Sequence, residues 1–136
     1  MDNYRRFEKW TDKEFGKALP LEQTAALAFN LFIDEDENYV GIELIGTEEY
    51  DPDDEEWLIT EIWGNRQPAF RMKGYDLPDD WRTVRDDVCE MITKYLNEGK
   101  YADILKSKEA VVTGYADGDD DQEGIFDIIT VYKKNG

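Results

Sequence analysis

Apolar residues along this chain switch between a helical and an alternating spacing, and each switch marks an element. Tyr4, Phe7 and Trp10 recur every third residue, as on one helix face. Thr11 and Glu14 then stand in a T-x-x-E arrangement able to cap a helix start, and Pro20 bars continuation. This predicts a helix within residues 2–19 that breaks near Trp10 and restarts at Asp12. Residues 23–33 form an apolar run and 34–38 an acidic turn. Over 39–46, Val40, Ile42 and Leu44 share one face while Glu43 looks the other way. Together these segments predict a β-hairpin. Residues 57–63 are apolar on both faces, which predicts a third, central strand, and residues 69–72 predict a short edge strand after Pro68.

The strongest helical signal covers residues 79–98. Trp81, Val84, Val88, Met91, Ile92 and Tyr95 follow a 3–4 spacing; Asp79 or Asp80 can cap the start, and Gly99 stops it. A short helix over 101–105 follows. Residues 109–115 and 125–132 predict a second hairpin around the acidic loop 117–124. The order is helix, three-strand meander, helix, hairpin. It predicts an α+β fold, a mainly antiparallel sheet of about five strands flanked by an N-terminal helix and one long amphipathic helix. A length of 136 residues suits a single domain over 1–136.

Charge adds a second theme. The chain carries 33 acids against 16 bases, a formal net charge of -17. Its 4 Trp, 8 Tyr and 6 Phe argue for a folded core despite that charge. Residues 21–65 hold fourteen acids and no Lys or Arg, and sixteen of the 33 acids lie in three turns at 34–37, 48–56 and 117–123. Such a field repels nucleic acid and anionic membrane and attracts cationic partners. One reading of the acidic turns is solvated loops that oppose aggregation; another is a surface for a basic partner. A lone Cys89, a charged N-terminal stretch and the lack of a long apolar run lead us to expect a soluble, cytoplasmic protein.

Metal chemistry finds little support. Asp119, Asp121, Glu123 and Gly124 imitate the start of a calcium loop, but its twelfth position is Thr130. Starting at Asp34 puts Tyr39 where glycine is needed and Ile45 where the final acid is needed. We expect no metal and no cofactor. With no histidine, Ser–His, Cys–His and histidine–zinc sites are excluded. Ser107 reads as a surface turn residue and Cys89 as a partly buried structural thiol. Glu43 and Glu61 are the carboxylates best placed for acid–base work, which would require a deep pocket around them. Arg66, Arg71, Lys73, Arg82 and Arg85 are the candidates for a local basic patch. Tyr39, Tyr50, Trp57 and Trp63 flank the acid runs; the two tryptophans read as core, and Tyr50, inside an acidic loop, as an interface residue.

Three segments carry a family resemblance: Ala26-Leu-Ala-Phe-Asn-Leu-Phe32, Gly41-Ile-Glu-Leu-Ile-Gly46 and Asp53-Asp-Glu-Glu-Trp57. Together with the small acidic character of the chain, this region, about a quarter of its length, resembles bacterial immunity proteins of polymorphic or contact-dependent toxin systems. The Trp and Gly–Gly pattern of the large SUKH immunity superfamily is absent. The resemblance implies a non-enzymatic inhibitor whose partner is a cognate protein toxin with a basic, nuclease-type surface, and neither nucleic acid nor membrane. On that reading Tyr50, Asp51, Asp53, Asp54, Glu55 and Glu56 form the binding surface, helped by Asp119, Asp120 and Asp121. The competing readings are an acidic adaptor or DNA mimic, and a carboxylate-dependent enzyme.

Overall fold

The hairpin at residues 26–47 is the centre of the molecule. In the computed structural model, which describes residues 3–77, 79–115 and 127–134 and all their side chains except those of 55, 65–69 and 127, β1 (Ala26–Asp34) pairs antiparallel with β2 (Tyr39–Thr47) in unbroken register. The turn is held by Asp34 Oδ1, which accepts from the Glu37 N–H at 3.0 Å. Asn38 takes a left-handed φ of 55° there, a conformation asparagine tolerates better than most residues. β3 (Glu61–Met72) adds to β2, β4 (Ala110–Tyr115) to the other side of β1, and β5 (Asp127–Lys133) to β4. The sheet order is β3-β2-β1-β4-β5.

Three of the strand pairs are antiparallel, as the sequence leads one to expect, but β1 and β4 are parallel. The cause is α2 (Trp81–Glu98). It carries the chain back along the sheet, so the next strand must run in the same direction as β3, and β3 runs with β1. Both apolar stripes of the helix layer pack on one sheet face. α1 (Asn3–Phe15) and α2 cover Leu27, Phe29, Leu31, Val40, Ile42, Leu44, Phe70 and Met72. Burying each such side chain contributes roughly 1.5–3 kcal/mol.

Several local expectations are corrected. α1 is continuous, with no break near Trp10. Thr11 and Glu14 are not a capping box: both lie inside the helix and are buried, in line with Tyr4, Phe7 and Phe15. Nothing in the sequence interrupts the helix before Gly16, whose N–H reaches Asp12 O at 3.0 Å. The third strand does not run through 57–63 and is not central. Residues Glu55–Ile59 form a 3-10 turn, β3 begins at Glu61, and β3 is an edge strand that absorbs the segment expected at 69–72. Pro68 sits in it, as edge strands permit. Asp80 occupies the N-cap position of α2, but its carboxylate accepts from Asp76 N–H at 2.8 Å instead of from the helix. Gly99 does end α2, with an ordinary φ of -73°. Its role is steric, because a Cβ there would lie 2.6 Å from the Tyr95 ring.

Tyr95 joins the helices. Its fully buried ring meets Phe7 edge-on at 6.4 Å. Its hydroxyl donates to Asp12 Oδ1 at 2.7 Å and accepts from Tyr101 N–H at 3.2 Å, at the start of α3 (Ala102–Lys106). Burial, and next the bond to Asp12, hold this phenol well above its ordinary 10.0, against a smaller opposite pull from Tyr101 N–H. Below pH 10 the phenol is neutral in both folded and unfolded chains, so the native stabilisation is fully present. As pH rises past 10 the unfolded chain loses the proton while the folded one keeps it, and stability falls. Tyr95→Phe should cost about 1–3 kcal/mol at neutral pH. Its stability should also decline less steeply above pH 10 than that of the wild type, since one of the linked protons is gone. Urea unfolding across pH 7–11 measures both, and parallel curves would show that the hydroxyl does not carry this coupling.

Candidate protein-binding site

The other sheet face is built for a different cover. Its residues Ala26, Ala28 and Ala110 are small, with Ile45 and Val112 beside them. The small side chains leave a trough, and Trp57 fills it at 6% exposure. The segment between β2 and β3 therefore folds back over the sheet as an acidic knuckle. Asp54 starts the 3-10 turn by accepting from Glu56 N–H at 3.0 Å, and Asp51 Oδ1 accepts from Asp53 N–H at 2.9 Å. Thr60 closes the base: its Oγ1 donates to Trp57 O at 2.7 Å and accepts from Glu49 N–H at 3.1 Å, while its carbonyl accepts from Glu48 N–H at 2.9 Å. The loop is thus an ordered element.

The structure brings most of the expected interface residues together here. Asp51, Asp53, Asp54 and Glu56 are exposed on the knuckle. None of them is ion-paired among the described residues. Tyr50 is half-buried, its ring edge-on to Trp57 at 5.0 Å. Burial, and then the Glu109 carboxylate, raise its phenol above the ordinary value. Glu55 lies in the turn, but its side chain is outside the described set, as are Asp119, Asp120 and Asp121 entirely. The turn Asp34–Glu37 stands at the opposite end of the sheet, because β2 runs from that turn to the knuckle.

Sequence reasoning missed Ile59. Expected inside a strand, it instead stands 81% exposed at the end of the 3-10 turn. An Asp-Asp-Glu-Glu run ahead of Trp57 is a helix-start signal, and it was the available clue that residues 57–59 are not extended. Trp57 is core, as its sequence context implied. Trp63 is half-buried on the helix side, where its indole N–H donates to Thr24 Oγ1 at 2.8 Å.

The remaining candidates separate. Glu43 and Glu61 are half-buried and lie on the sheet, Glu43 opposite Asn30 and Glu61 opposite Thr47. Cys89 is half-buried on α2. Ser107 follows α3 and donates to Ile104 O at 2.6 Å. The described basic candidates lie on two elements, Arg71 on β3 and Arg82 and Arg85 on α2. Arg71 lies over the Tyr39 ring at 4.6 Å, while Arg82 and Arg85 stack on Trp81 at 4.8 and 5.5 Å. Lys73 is exposed beyond β3, and the Arg66 side chain lies outside the described set. Among the described residues, no three His, Cys, Asp or Glu side chains are grouped to hold a metal, and no helix is long and apolar enough to cross a membrane.

No family model, curated protein or solved structure matches this chain. What the knuckle can do must come from its own chemistry: a hydrogen-bonded turn that bears exposed Asp51, Asp53, Asp54 and Glu56 and, at its end, the exposed aliphatic Ile59. If Trp57 is the post that holds it, Trp57→Ala should cost about 3–5 kcal/mol and speed amide exchange at Asp54 and Glu56 more than in β1. Equal protection of the knuckle in wild type and variant would mean the loop is held by its own hydrogen bonds.

Proposed function

We propose that this chain is a non-catalytic inhibitor of the bacterial immunity type, which neutralises a cognate protein toxin with a basic surface by docking the acidic knuckle onto it. The observation that carries the reading is Ile59, an exposed aliphatic side chain on the same hydrogen-bonded segment as exposed Asp51, Asp53, Asp54 and Glu56. Affinity concentrates where an apolar anchor is desolvated within a polar rim. The surrounding carboxylates accelerate encounter with a basic partner, to about 10⁸–10⁹ M⁻¹s⁻¹ at low salt. The trough under Trp57 pre-orders the surface, so little conformational freedom is lost on binding. Retention in the cytoplasm, where such a toxin would act, belongs to the same reading.

The test uses the purified product of the gene adjacent to this one and measures binding kinetics over a range of salt. Replacing Asp51, Asp53 and Asp54 by Asn and Glu56 by Gln keeps the turn's acceptors, since Asn also caps. This should lower the association rate at low salt by about tenfold or more and flatten its salt dependence. Ile59→Ala should leave association unchanged and raise dissociation by about tenfold. Association that is the same at every ionic strength, together with unchanged dissociation for Ile59→Ala, would remove the knuckle as the binding surface.

A further inference from the structure

The helix layer holds an open cavity of about 320 Å³ between the start of α1, the segment after β3 and the middle of α2. That volume is at the lower end of the range for small-molecule sites, roughly 300–1,000 Å³. α2 supplies Asp87, Glu90, Met91 and Lys94, whose i, i+3, i+4, i+7 spacing sets them on one stripe. Tyr4 and Tyr75 supply aromatic walls. The Tyr75 hydroxyl donates to Asp87 Oδ2 at 2.8 Å, which orients that carboxylate and leaves Oδ1 to accept. Glu90 is exposed and makes no hydrogen bond or ion pair among the described residues.

The position of Lys94 is the informative feature. Glu90 precedes it by four residues, the arrangement that favours an ion pair along a helix. The Lys94 ammonium instead lies over the Tyr4 ring, 4.3 Å from its centroid. That ring stays neutral: burial first, then the Glu8 and Glu98 carboxylates, push the phenol far above its ordinary range. A neutral, electron-rich face beside two carboxylates is the setting in which organic cations are recognised.

We propose that this cavity is a seat for an organic cation, a primary ammonium or guanidinium, and that the Lys94 side chain occupies it as a tethered stand-in until a ligand arrives. The ligand's charged group takes the place over Tyr4, its N–H groups donate to Asp87 Oδ1 and Glu90, and its alkyl stem lies on Met91. Lys94 is exposed and can swing into solvent. The seat lies on the helix side, at the far end of the sheet from the knuckle, and does not rest on the toxin reading.

Agmatine, which carries both cationic groups, is the probe, with n-butylurea as the neutral control and a capped Ala-Arg-Ala peptide as the second source of guanidinium. Binding to the intact chain is followed by NMR shifts of Tyr4, Tyr75 and Met91 and by calorimetry. Agmatine should bind saturably and butylurea should not. Lys94→Ala, a helix-favouring change, should tighten agmatine about three- to tenfold by freeing the ring. Asp87→Asn with Glu90→Gln should weaken it about fivefold or more. Peptide binding equal to agmatine assigns the seat to a partner's arginine; agmatine binding alone assigns it to a free amine. The control for general attraction by the acidic chain is Asp53→Asn with Glu56→Gln, which removes the same charge elsewhere. Absence of saturable binding, unchanged affinity in Lys94→Ala, or equal weakening in the control pair would each overturn the proposal.

Discussion

The contact between Tyr95 and Phe7 is the joint on which the helix layer depends. Phe7 packs on Phe29 from the sheet centre and on Phe70 from its edge, at 5.6 and 5.8 Å, and Tyr95 closes the group from α2. The Tyr95 hydroxyl reaches α1 through Asp12 and the start of α3 through Tyr101. One side chain therefore sets the position of α1 relative to α2 and the angle at which the chain leaves α2 for β4. The parallel pairing of β1 and β4 follows from that path. Because the ring is fully buried, any rearrangement of the helix layer would have to strand a polar hydroxyl in the core, which costs more than the bond itself contributes.

The chain accommodates its surplus of acids by placing them where water remains. Its cations, meanwhile, are often set on aromatic faces: Arg6 on Phe70, Arg71 on Tyr39, Arg82 and Arg85 on Trp81, Lys94 on Tyr4 and Lys100 on Tyr101. These contacts seal the rims of the core with alkyl stems and flat guanidinium groups. None of these six cations is ion-paired with an exposed carboxylate of the knuckle among the described residues.

Much of the fold was legible because periodicity reports burial directly. α2, the β1–β2 hairpin and the β4–β5 pair all lie within a few residues of where their spacing put them. The failures share a cause: an apolar residue declares that it is buried without saying against what. Trp57 is apolar because it covers Ala26, Ala28 and Ala110 on the second face, and read as part of a strand it gave β3 a false start and a false central position. Thr11 and Glu14 looked like a cap because that motif also fits two buried positions one turn apart. In the binding site, the run of carboxylates could be read from the sequence. The exposure of Ile59 could not, since it depends on how the turn sits over the sheet. The cavity at Tyr4 and Lys94 joins positions ninety residues apart, and no local pattern announces it.

The two sheet faces have different tasks, and side-chain size on β1 decides which is which. Leu27, Phe29 and Leu31 point to the helices and require a thick layer to bury them. Ala26 and Ala28 point the other way and can be sealed by one indole. Trp57 is the buried part of that cover, with Tyr50, Leu58 and Ile128 packed around it, so the knuckle lies over a thin layer and its outer residues remain in water. Ile59 shows this: it sits two residues from the buried Trp57, yet it contributes nothing to the core. A single exposed aliphatic residue is ordinary on a protein surface, but on a hydrogen-bonded turn that also carries carboxylates it offers a partner an apolar contact with a polar rim. Its position makes physical sense when the knuckle is read as a surface that is completed by something else.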